Sequence, residues 1–434
     1  MLSKHDNELL CKVGPGTPMG TLMRHYWLPA FKSDELPAPD SPPMRIKLLG
    51  EELIAFRMTS GKIGLIQNAC PHRGASLFFG RNEEEGLRCV YHGWKFDETG
   101  SCVDMPSEPA ESNFRSKVHA KAYATQERGG VVWAYMGTRE VPPPLPDIEP
   151  NMAAEGTMRV ELTARDCNWM QALEGDIDTS HLGFLHIGAL KLEDTQPGTM
   201  DHYLVKEKAP KYSVIDTEFG TSYGAYRPAE ADTYYWRVAH FLFPCFTMIP
   251  SGQLGQQVLV RAWVPLDDDH TMYWGMMTTF RPDSAAVRGG ALANKGMLPN
   301  TSDALGRFRL EANRENDYKI DREAQRNMVT YTGLSNVPLE DQAITESMGA
   351  IYTRDREHLG TSDAMIIRTR RRLIHAAKAL MNDGTLPPGA DDPSVYRTRS
   401  GGVILPRSAD WVDATTELRK AFDEHPAPAP AAGS

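Results

Sequence analysis

Two short segments carry the residues of this chain best suited to hold a metal cofactor. Each contributes one cysteine and one histidine: Cys70-Pro-His72 and, after sixteen intervening residues, Cys89-Val-Tyr-His92. In one type of [2Fe–2S] cluster, two thiolates bind one iron and two neutral imidazoles bind the other, which raises the reduction potential above that of an all-cysteine cluster. A site of this kind transfers electrons one at a time.

The alternative for these four residues is a zinc site with the same ligand chemistry. In the common zinc motifs two cysteines come first and two histidines follow, whereas here the two residue types alternate. A glycine also follows each pair, at Gly74 and Gly93, where the backbone must turn tightly against a buried cofactor. The pattern therefore predicts a Rieske [2Fe–2S] cluster.

A second candidate metal site lies further along the chain, where Asp178-Thr-Ser-His181 is followed by His186. Two imidazoles and one carboxylate form the facial triad of non-haem Fe(II) oxygenases, which leaves positions open for dioxygen. Histidines five residues apart share a helical face less well than an i,i+4 pair, so we expect a distorted or ending helix, with Gly183 permitting the distortion. Most such pairs are structural, but a Rieske cluster in the same chain strengthens the interpretation.

Length and composition limit the remaining possibilities. A chain of 434 residues suggests two domains. The net charge of −10 argues against a nucleic-acid partner, and we expect the basic run at 368–373 to be a solvated helix face. We find neither an apolar run long enough to span a membrane nor a signal peptide at the start. The other cysteines are predicted to be free thiols, as in a reducing cytoplasm: Cys11, Cys102, Cys167 and Cys245.

The order of elements indicates an α+β protein. Short strands are predicted in the first part: Met44–Leu49, Leu53–Phe56, Ile63–Ile66 and Val131–Tyr135. The proline-rich segment Val141–Pro146 is predicted to be a connector, which places a domain boundary near residue 150. The predicted domains are 1–150 and 151–425, and a disordered tail is predicted at 426–434. The second part is predicted to contain longer strands and one long helix: Tyr234–Phe243, Gln257–Val264, His270–Met277 and a helix from Asp363 to about Met381.

The combination Cys-x-His…Cys-x₂-His and Asp-x₂-His-x₄-His closely resembles the large oxygenase subunit of Rieske non-haem iron ring-hydroxylating enzymes. Three further segments resemble the phthalate-dioxygenase-like branch: Asp6–Gly20, Gln171–Glu174 and Asp321–Gln325. The likeness extends to about residue 380. It implies an N-terminal antiparallel β Rieske domain and a catalytic domain with a curved antiparallel sheet and covering helices, of the START-like helix-grip type. Many relatives have Glu-Asn where this chain has Glu174-Gly175, so no role of that asparagine carries over.

The resemblance also implies how the second iron is bound. His181 and His186 are its imidazole ligands, and a carboxylate far downstream completes the triad. Asp341 matches that position best, at the start of a helix. An ordinary helix-start carboxylate is the alternative at Asp341, and other carboxylates compete for the same role: Glu340, Glu346 and Asp355.

Asp178 has a different implied role. Family members pack three subunits head to tail, so that the cluster of one subunit lies beside the mononuclear iron of its neighbour. Asp178 would then accept hydrogen bonds from His92 of one chain and His181 of the next, and so orient both imidazoles. The alternative is a surface or helix-capping aspartate.

The function implied is the terminal oxygenase of a multicomponent system. A flavin/iron–sulfur reductase would supply electrons, and O₂ would be activated at Fe(II) to hydroxylate an aromatic carboxylate of the phthalate type. Arg237, a charge in an apolar strand, is the candidate for the substrate carboxylate, with Arg261 and Arg227 as further candidates and an outward-facing arginine as the alternative.

Other functions are compatible with the same residues. The same iron centre supports monooxygenation or O-demethylation of a methoxylated aromatic acid. A Rieske electron carrier, or an iron-binding protein without oxygenase activity, is the non-oxygenase alternative. A homotrimer, or a hexamer of stacked trimers, is the assembly that the resemblance implies.

Overall fold

The computed structural model describes residues 2–154, 156–279 and 296–422. The predicted tail at 426–434 lies outside these described residues. The chain combines helices with antiparallel sheets, and this confirms the predicted α+β class.

The first part of the chain begins with two short helices and continues as small sheets. The helices are α1 (Lys4–Cys11) and α2 (Pro18–Met23), and their N-cap side chains are Ser3 and Thr17. The strands are β1 (Trp27–Lys32), β2 (Met44–Leu48), β3 (Glu51–Arg57), β4 (Ile63–Gln67), β5 (Arg81–Asn82), β6 (Leu87–Arg88), β7 (Lys95–Phe96), β8 (Cys102–Asp104), β9 (Ala124–Arg128) and β10 (Val131–Tyr135). They pair in the orders β2-β3-β4, β5-β6-β7-β8 and β1-β10-β9.

The second part is built on one eight-stranded antiparallel sheet. Its strands are β11 (Arg159–Arg165), β12 (Lys211–Asp216), β13 (Gly220–Pro228), β14 (Thr233–Leu242), β15 (Phe246–Met248), β16 (Gln257–Pro265), β17 (Thr271–Thr279) and β18 (Gly401–Pro406). The order is β11-β17-β16-β15-β14-β13-β12, and β18 pairs with β14. A long antiparallel sheet of this kind buries one face against helices and so gives them a fixed platform.

Helices cover this sheet and carry the candidate iron ligands. They are α3 (Glu149–Met152), α4 (Trp169–Ile177), α5 (Leu182–Leu185), α6 (Met200–Lys206), α7 (Arg322–Arg326), α8 (Val337–Ser347), α9 (Ala364–Asp383) and α10 (Trp411–Ala414). Helix α4 packs on β14, β15 and β16 and also touches α8 and α9. The nine residues of α4 are mostly buried, because the helix lies between the sheet and the outer helices.

The predicted strands and the long helix are confirmed, with shifts of at most two residues at their ends. The two parts share a continuous apolar core, which includes Leu10 and Trp133 from the first part and Trp169 and Phe246 from the second. Helix α2 also packs on α9. The domain boundary near residue 150 stays a prediction. No helix within the described residues is long and apolar enough to cross a bilayer.

Candidate metal centres

The two cysteine–histidine loops have the same backbone hydrogen bonds. In each loop the cysteine N–H donates to the carbonyl of the residue five positions on, and the cysteine carbonyl accepts from the glycine four positions on. The distances match between the loops: 2.8 Å for Cys70 to Ala75 and for Cys89 to Trp94, and 2.9 Å for Gly74 to Cys70 and for Gly93 to Cys89. Gly74 and Gly93 have φ of 76° and 80°, a conformation that favours glycine. The predicted tight turns are therefore present.

The side chains of these loops fit a bound cluster. Cys70 and Cys89 are buried, and the rings of His72 and His92 lie 4.4 Å apart between centroids. The Nδ1 atom of each imidazole is buried and has no hydrogen-bond partner among the described residues. Buried nitrogens normally have a partner, and iron would supply one to both. Burial raises the pKa of the Cys70 thiol to about 11, with Cys89 adding to the shift, and a bound cation would favour the thiolate form.

The second candidate site brings together three side chains from distant parts of the sequence. The Nε2 atoms of His181 and His186 are 3.0 Å apart. Asp341 Oδ1 lies 3.1 Å from Nε2 of His186 and 3.5 Å from Nε2 of His181. Two nitrogens bound to one metal at about 2.1 Å and at right angles would be separated by a similar distance. Two imidazoles and a carboxylate that converge in this way fit the facial triad for Fe(II).

Two helices position these donors. His181 and His186 are the N-cap and C-cap residues of α5, a helix of only four residues. Because the helix is a single turn, the histidines at its two ends can face the same point, as the spacing required. Asp341 lies in the second turn of α8, one turn later than expected, and α8 begins at the N-cap side chain of Asn336.

The other carboxylates considered for the iron lie elsewhere. Glu346 accepts from the Tyr318 hydroxyl at 2.7 Å and from the backbone N–H of Asp166 at 3.0 Å. Asp355 forms an ion pair with Lys4. Neither carboxylate has a hydrogen bond or ion pair to the two histidines among the contacts of the described residues, so the geometry favours Asp341 for the position facing Nε2.

Glu340 contacts one of the histidines, but at the other edge of the ring. Its Oε2 lies 2.7 Å from Nδ1 of His186, and both side chains are more than nine-tenths buried. Burial lowers the pKa of His186, but hydrogen bonds to Asp341 and Glu340 outweigh it and raise this pKa to about 9. The same negative surroundings favour a bound cation.

Asp178 is the C-cap residue of α4. Its Oδ1 accepts from the backbone N–H of Ser180 at 2.7 Å, and its Oδ2 lies 3.5 Å from Nδ1 of His181. About a quarter of the side chain is exposed. The carboxylate is therefore adjacent to the outer edge of the His181 ring and open to solvent on its other side.

The three candidate arginines differ in their partners. Arg261 pairs with Asp176, which also accepts from Nε1 of Trp263 at 3.0 Å, so this arginine attaches α4 to β16. Arg237 is buried, and its Nε donates to Thr179 Oγ1 at 2.9 Å. The outward-facing alternative for Arg237 is thus wrong. The sequence analysis did not single out Asp176 or Thr179. Their position within two residues of Asp178 could have indicated that they lie near the site.

Arg227 is buried and incompletely paired. Its Nε donates to the Glu207 carbonyl at 2.8 Å, but Nη1 and Nη2 have no hydrogen-bond partner among the described residues. Burial and, to a smaller extent, the positive charge of Arg237 lower the pKa of Arg227 to about 10. In the sheet register Ala225 faces Arg237, so the two arginines occupy diagonal positions on the same face of β13 and β14.

Comparison with known proteins identifies the class. Residues 26–124 match the Rieske [2Fe-2S] domain family, and residues 134–427 match the family described as LigXa C-terminal domain like. The chain is 47% identical over 421 residues to the 3-chlorobenzoate-3,4-dioxygenase oxygenase subunit of Comamonas testosteroni, covering 94% of this chain and 96% of that protein. It is 35% identical to the phthalate 4,5-dioxygenase oxygenase subunit of Pseudomonas putida, with coverage of 98% and 97%.

Solved structures agree on the fold. The oxygenase in a complex with the ferredoxin of carbazole 1,9a-dioxygenase superposes with a TM-score of 0.54 at 19% identity, covering 90% of this chain and 97% of that one. The chain therefore belongs to the Rieske non-haem iron oxygenases, as an alpha subunit of the phthalate-dioxygenase-like branch. The cofactors of this family are a [2Fe–2S] cluster and a mononuclear iron.

Proposed function

We propose that this chain is the terminal oxygenase that dihydroxylates an aromatic carboxylate of the benzoate or phthalate type. The observation that carries the substrate class is the pair of buried arginines, Arg227 and Arg237. The names of the two curated relatives, which refer to chlorobenzoate and phthalate, support the same class.

The argument for a carboxylate starts from the energetics of Arg227. A buried guanidinium without an anion loses its hydration and gains little in return. After burial, the strongest electrostatic influences on Arg227 are Arg237 and three tyrosines. A substrate carboxylate would accept from the two free Nη groups, in the bidentate geometry that arginine provides.

Arg237 also contacts a residue that lies close in sequence to the proposed iron ligands. Arg237 donates to Thr179, which stands two residues before His181. A carboxylate held by these arginines would therefore orient the aromatic ring toward the histidines. Orientation of this kind is how a protein directs cofactor chemistry to one carbon of the ring.

The proposed roles of the metal-binding residues follow the geometry described above. Cys70, His72, Cys89 and His92 would hold the cluster. His181, His186 and Asp341 would hold the mononuclear iron. When bound, the cluster supplies single electrons and the mononuclear iron supplies the centre for O₂ activation. The residues themselves orient the donors, exclude water and keep the substrate in place.

Head-to-tail assembly as a homotrimer, or as a hexamer of stacked trimers, completes the proposal. Val90 and Tyr91, next to His92, are each more than half exposed, and Phe184, between the two iron histidines, is about half exposed. Exposed apolar side chains at both metal sites support a contact between subunits there. Asp178 would then bridge His92 of one subunit and His181 of the next. Native mass measurement tests the assembly, and a monomer at working concentration would contradict it.

We propose a separate flavin/iron–sulfur reductase as the electron donor. The four cysteines outside the cluster loops form no disulfide among the described residues, which supports the predicted reducing cytoplasm.

The substrate class is tested by substrate-stimulated NADH oxidation with the reductase present. We expect 3-chlorobenzoate, benzoate or phthalate to stimulate the rate and chlorobenzene or benzamide to fail. Stimulation by the neutral compounds alone would overturn the carboxylate proposal. Formaldehyde release from a methoxybenzoate, without dihydrodiol from any carboxylate, would assign O-demethylation instead.

The arginine pair is tested by Arg227→Gln. We expect KM for the carboxylate substrate to rise about 10- to 100-fold, because a hydrogen bond to a charged group contributes about 1.5–3 kcal/mol. The control is Arg368→Gln, which removes the same charge from an exposed arginine that pairs with Asp216. An unchanged KM in Arg227→Gln would remove this arginine from the substrate site.

A further inference from the structure

The two iron histidines are held in different ways. His181 is about one-fifth exposed, and its Nδ1 lies 3.5 Å from the partly exposed Asp178. His186 is buried, and its Nδ1 lies 2.7 Å from the buried Glu340. The contact of His186 with Glu340 is thus shorter and less exposed to solvent than that of His181 with Asp178.

We propose that Glu340 is the positioning residue that fixes the tautomer and ring orientation of His186 for iron binding. The proposal rests on the iron site of the proposed function. An ionised carboxylate only accepts hydrogen bonds, so Nδ1 of His186 is the donor and Nε2 keeps its lone pair. That lone pair is on the side of the ring that faces His181 and Asp341.

Glu340 is itself held in place. Its Oε1 accepts from the hydroxyl of Thr332, while its Oε2 accepts from His186. Both carboxylate oxygens are thus used, and the side chain is 6% exposed. A histidine ligand held by a fixed carboxylate keeps its orientation and gains basicity, which strengthens metal binding.

The two adjacent carboxylates of α8 therefore have different roles at His186. Asp341 faces Nε2 of His186, and Glu340 faces Nδ1 of the same ring. The imidazole lies between them, so one turn of helix would supply both a ligand and the support of another ligand. This explains how Glu340 can be close to the site without competing for the metal.

The experiment measures Fe(II) affinity of the full-length protein after removal of the mononuclear iron. We expect Glu340→Ala to weaken Fe(II) binding about 10- to 100-fold, the range typical of lost outer partners. Glu340→Gln keeps an acceptor for Nδ1–H, so its affinity should fall between wild type and alanine. The cluster absorption should be unchanged in all variants, while the EPR spectrum of the ferrous nitrosyl adduct should broaden in Glu340→Ala.

The matched control is Glu346→Gln, which alters another buried carboxylate of α8 that touches neither histidine. We expect its Fe(II) affinity to be close to wild type. Equal weakening in Glu346→Gln and Glu340→Gln would assign the effect to helix packing and overturn the proposal. Wild-type affinity in Glu340→Ala would overturn it as well.

Two additional variants distinguish a failure of the positioning role from a failure of the proposed iron site. Thr332→Val leaves Glu340 in place but removes one of its hydrogen bonds, and we expect weakening of a few-fold; it serves if Glu340→Ala does not fold. His186→Ala tests the iron site itself. If it kept full iron affinity, the proposed site would fail, whereas iron loss there with normal binding in the Glu340 and Thr332 variants would refute the positioning role alone.

Discussion

The two candidate metal sites are built in opposite ways. The cluster loops are short and are closed by the same backbone hydrogen bonds, within six residues of chain. The iron site joins His181 and His186 to Asp341, which lies more than 150 residues further along the chain. The positions of these three side chains are set by two helices, by the sheet beneath α4 and by the buried carboxylates around the site.

The two sites should also differ in how well they tolerate substitutions. A cluster loop requires a few backbone bonds and a glycine that turns, so its geometry is largely local. The iron site depends on the position of α4, which buried ion pairs attach to its surroundings: Glu174 pairs with Arg354 and Arg370, and Asp176 with Arg261. Distant substitutions should therefore affect the iron site more than the cluster.

The largest expected effect is loss of the cluster alone. Cys89→Ser should abolish the visible absorption of the cluster and the acid-labile sulfide, because serine is a poor ligand for this iron. Iron should fall from about three per chain to about one, since the mononuclear site does not share these ligands. Iron and sulfide analysis checks this, and loss of all iron would show that the two sites are not independent.

The converse test is Asp341→Ala. We expect the mononuclear iron and the oxygenase activity to be lost, while the cluster spectrum stays at wild-type intensity. The two histidines alone leave the metal without its carboxylate ligand. Metal analysis combined with absorption measures both sites in one sample, and full retention of mononuclear iron would remove Asp341 from the ligand set.

A smaller effect is expected where the two sites communicate. Asp178→Asn should keep both metals but slow electron transfer from cluster to iron by more than about tenfold, because an amide cannot accept from both imidazoles as a carboxylate does. Rapid-mixing oxidation of the reduced cluster, with substrate and O₂ present, measures the rate. Turnover close to wild type would contradict the bridge.

The smallest expected effect is on folding stability, through a buried histidine in the sheet below the iron site. His240 is buried in β14, where it contacts Ser222 Oγ at 2.7 Å and the Arg399 carbonyl at 3.0 Å. Burial lowers its pKa to about 4, against about 6.5 in the unfolded chain. The unfolded state thus binds the proton more readily, so this contribution to stability is full above pH 6.5 and is lost as the pH falls toward 4.

His240→Gln should make stability less sensitive to acid. At pH 5 the histidine costs about 2 kcal/mol relative to neutral pH, and glutamine has no such proton to bind. Urea unfolding at pH 7 and pH 5, for wild type and variant, measures the difference. An equal loss in both proteins would assign the acid sensitivity to other groups.

The sequence determined the local features of this protein. The alternation of cysteine and histidine, with Gly74 and Gly93 behind them, was sufficient to predict the cluster loops, because those contacts close within each loop. Strands and the long helix α9 also followed from periodicity, since apolar faces repeat along a regular element. The histidine pair at the ends of α5 was visible because its two members are only five residues apart.

Which distant groups meet is visible in the folded chain alone. Asp341 and Glu340 face opposite edges of the His186 ring. Sequence spacing carries no information about how that ring is oriented. The folded chain also distinguishes Arg261, paired with Asp176, from Arg227, whose outer nitrogens have no partner among the described residues. The physical reason is that a buried charge is defined by its neighbours, and those neighbours come from strands and helices far apart in the chain.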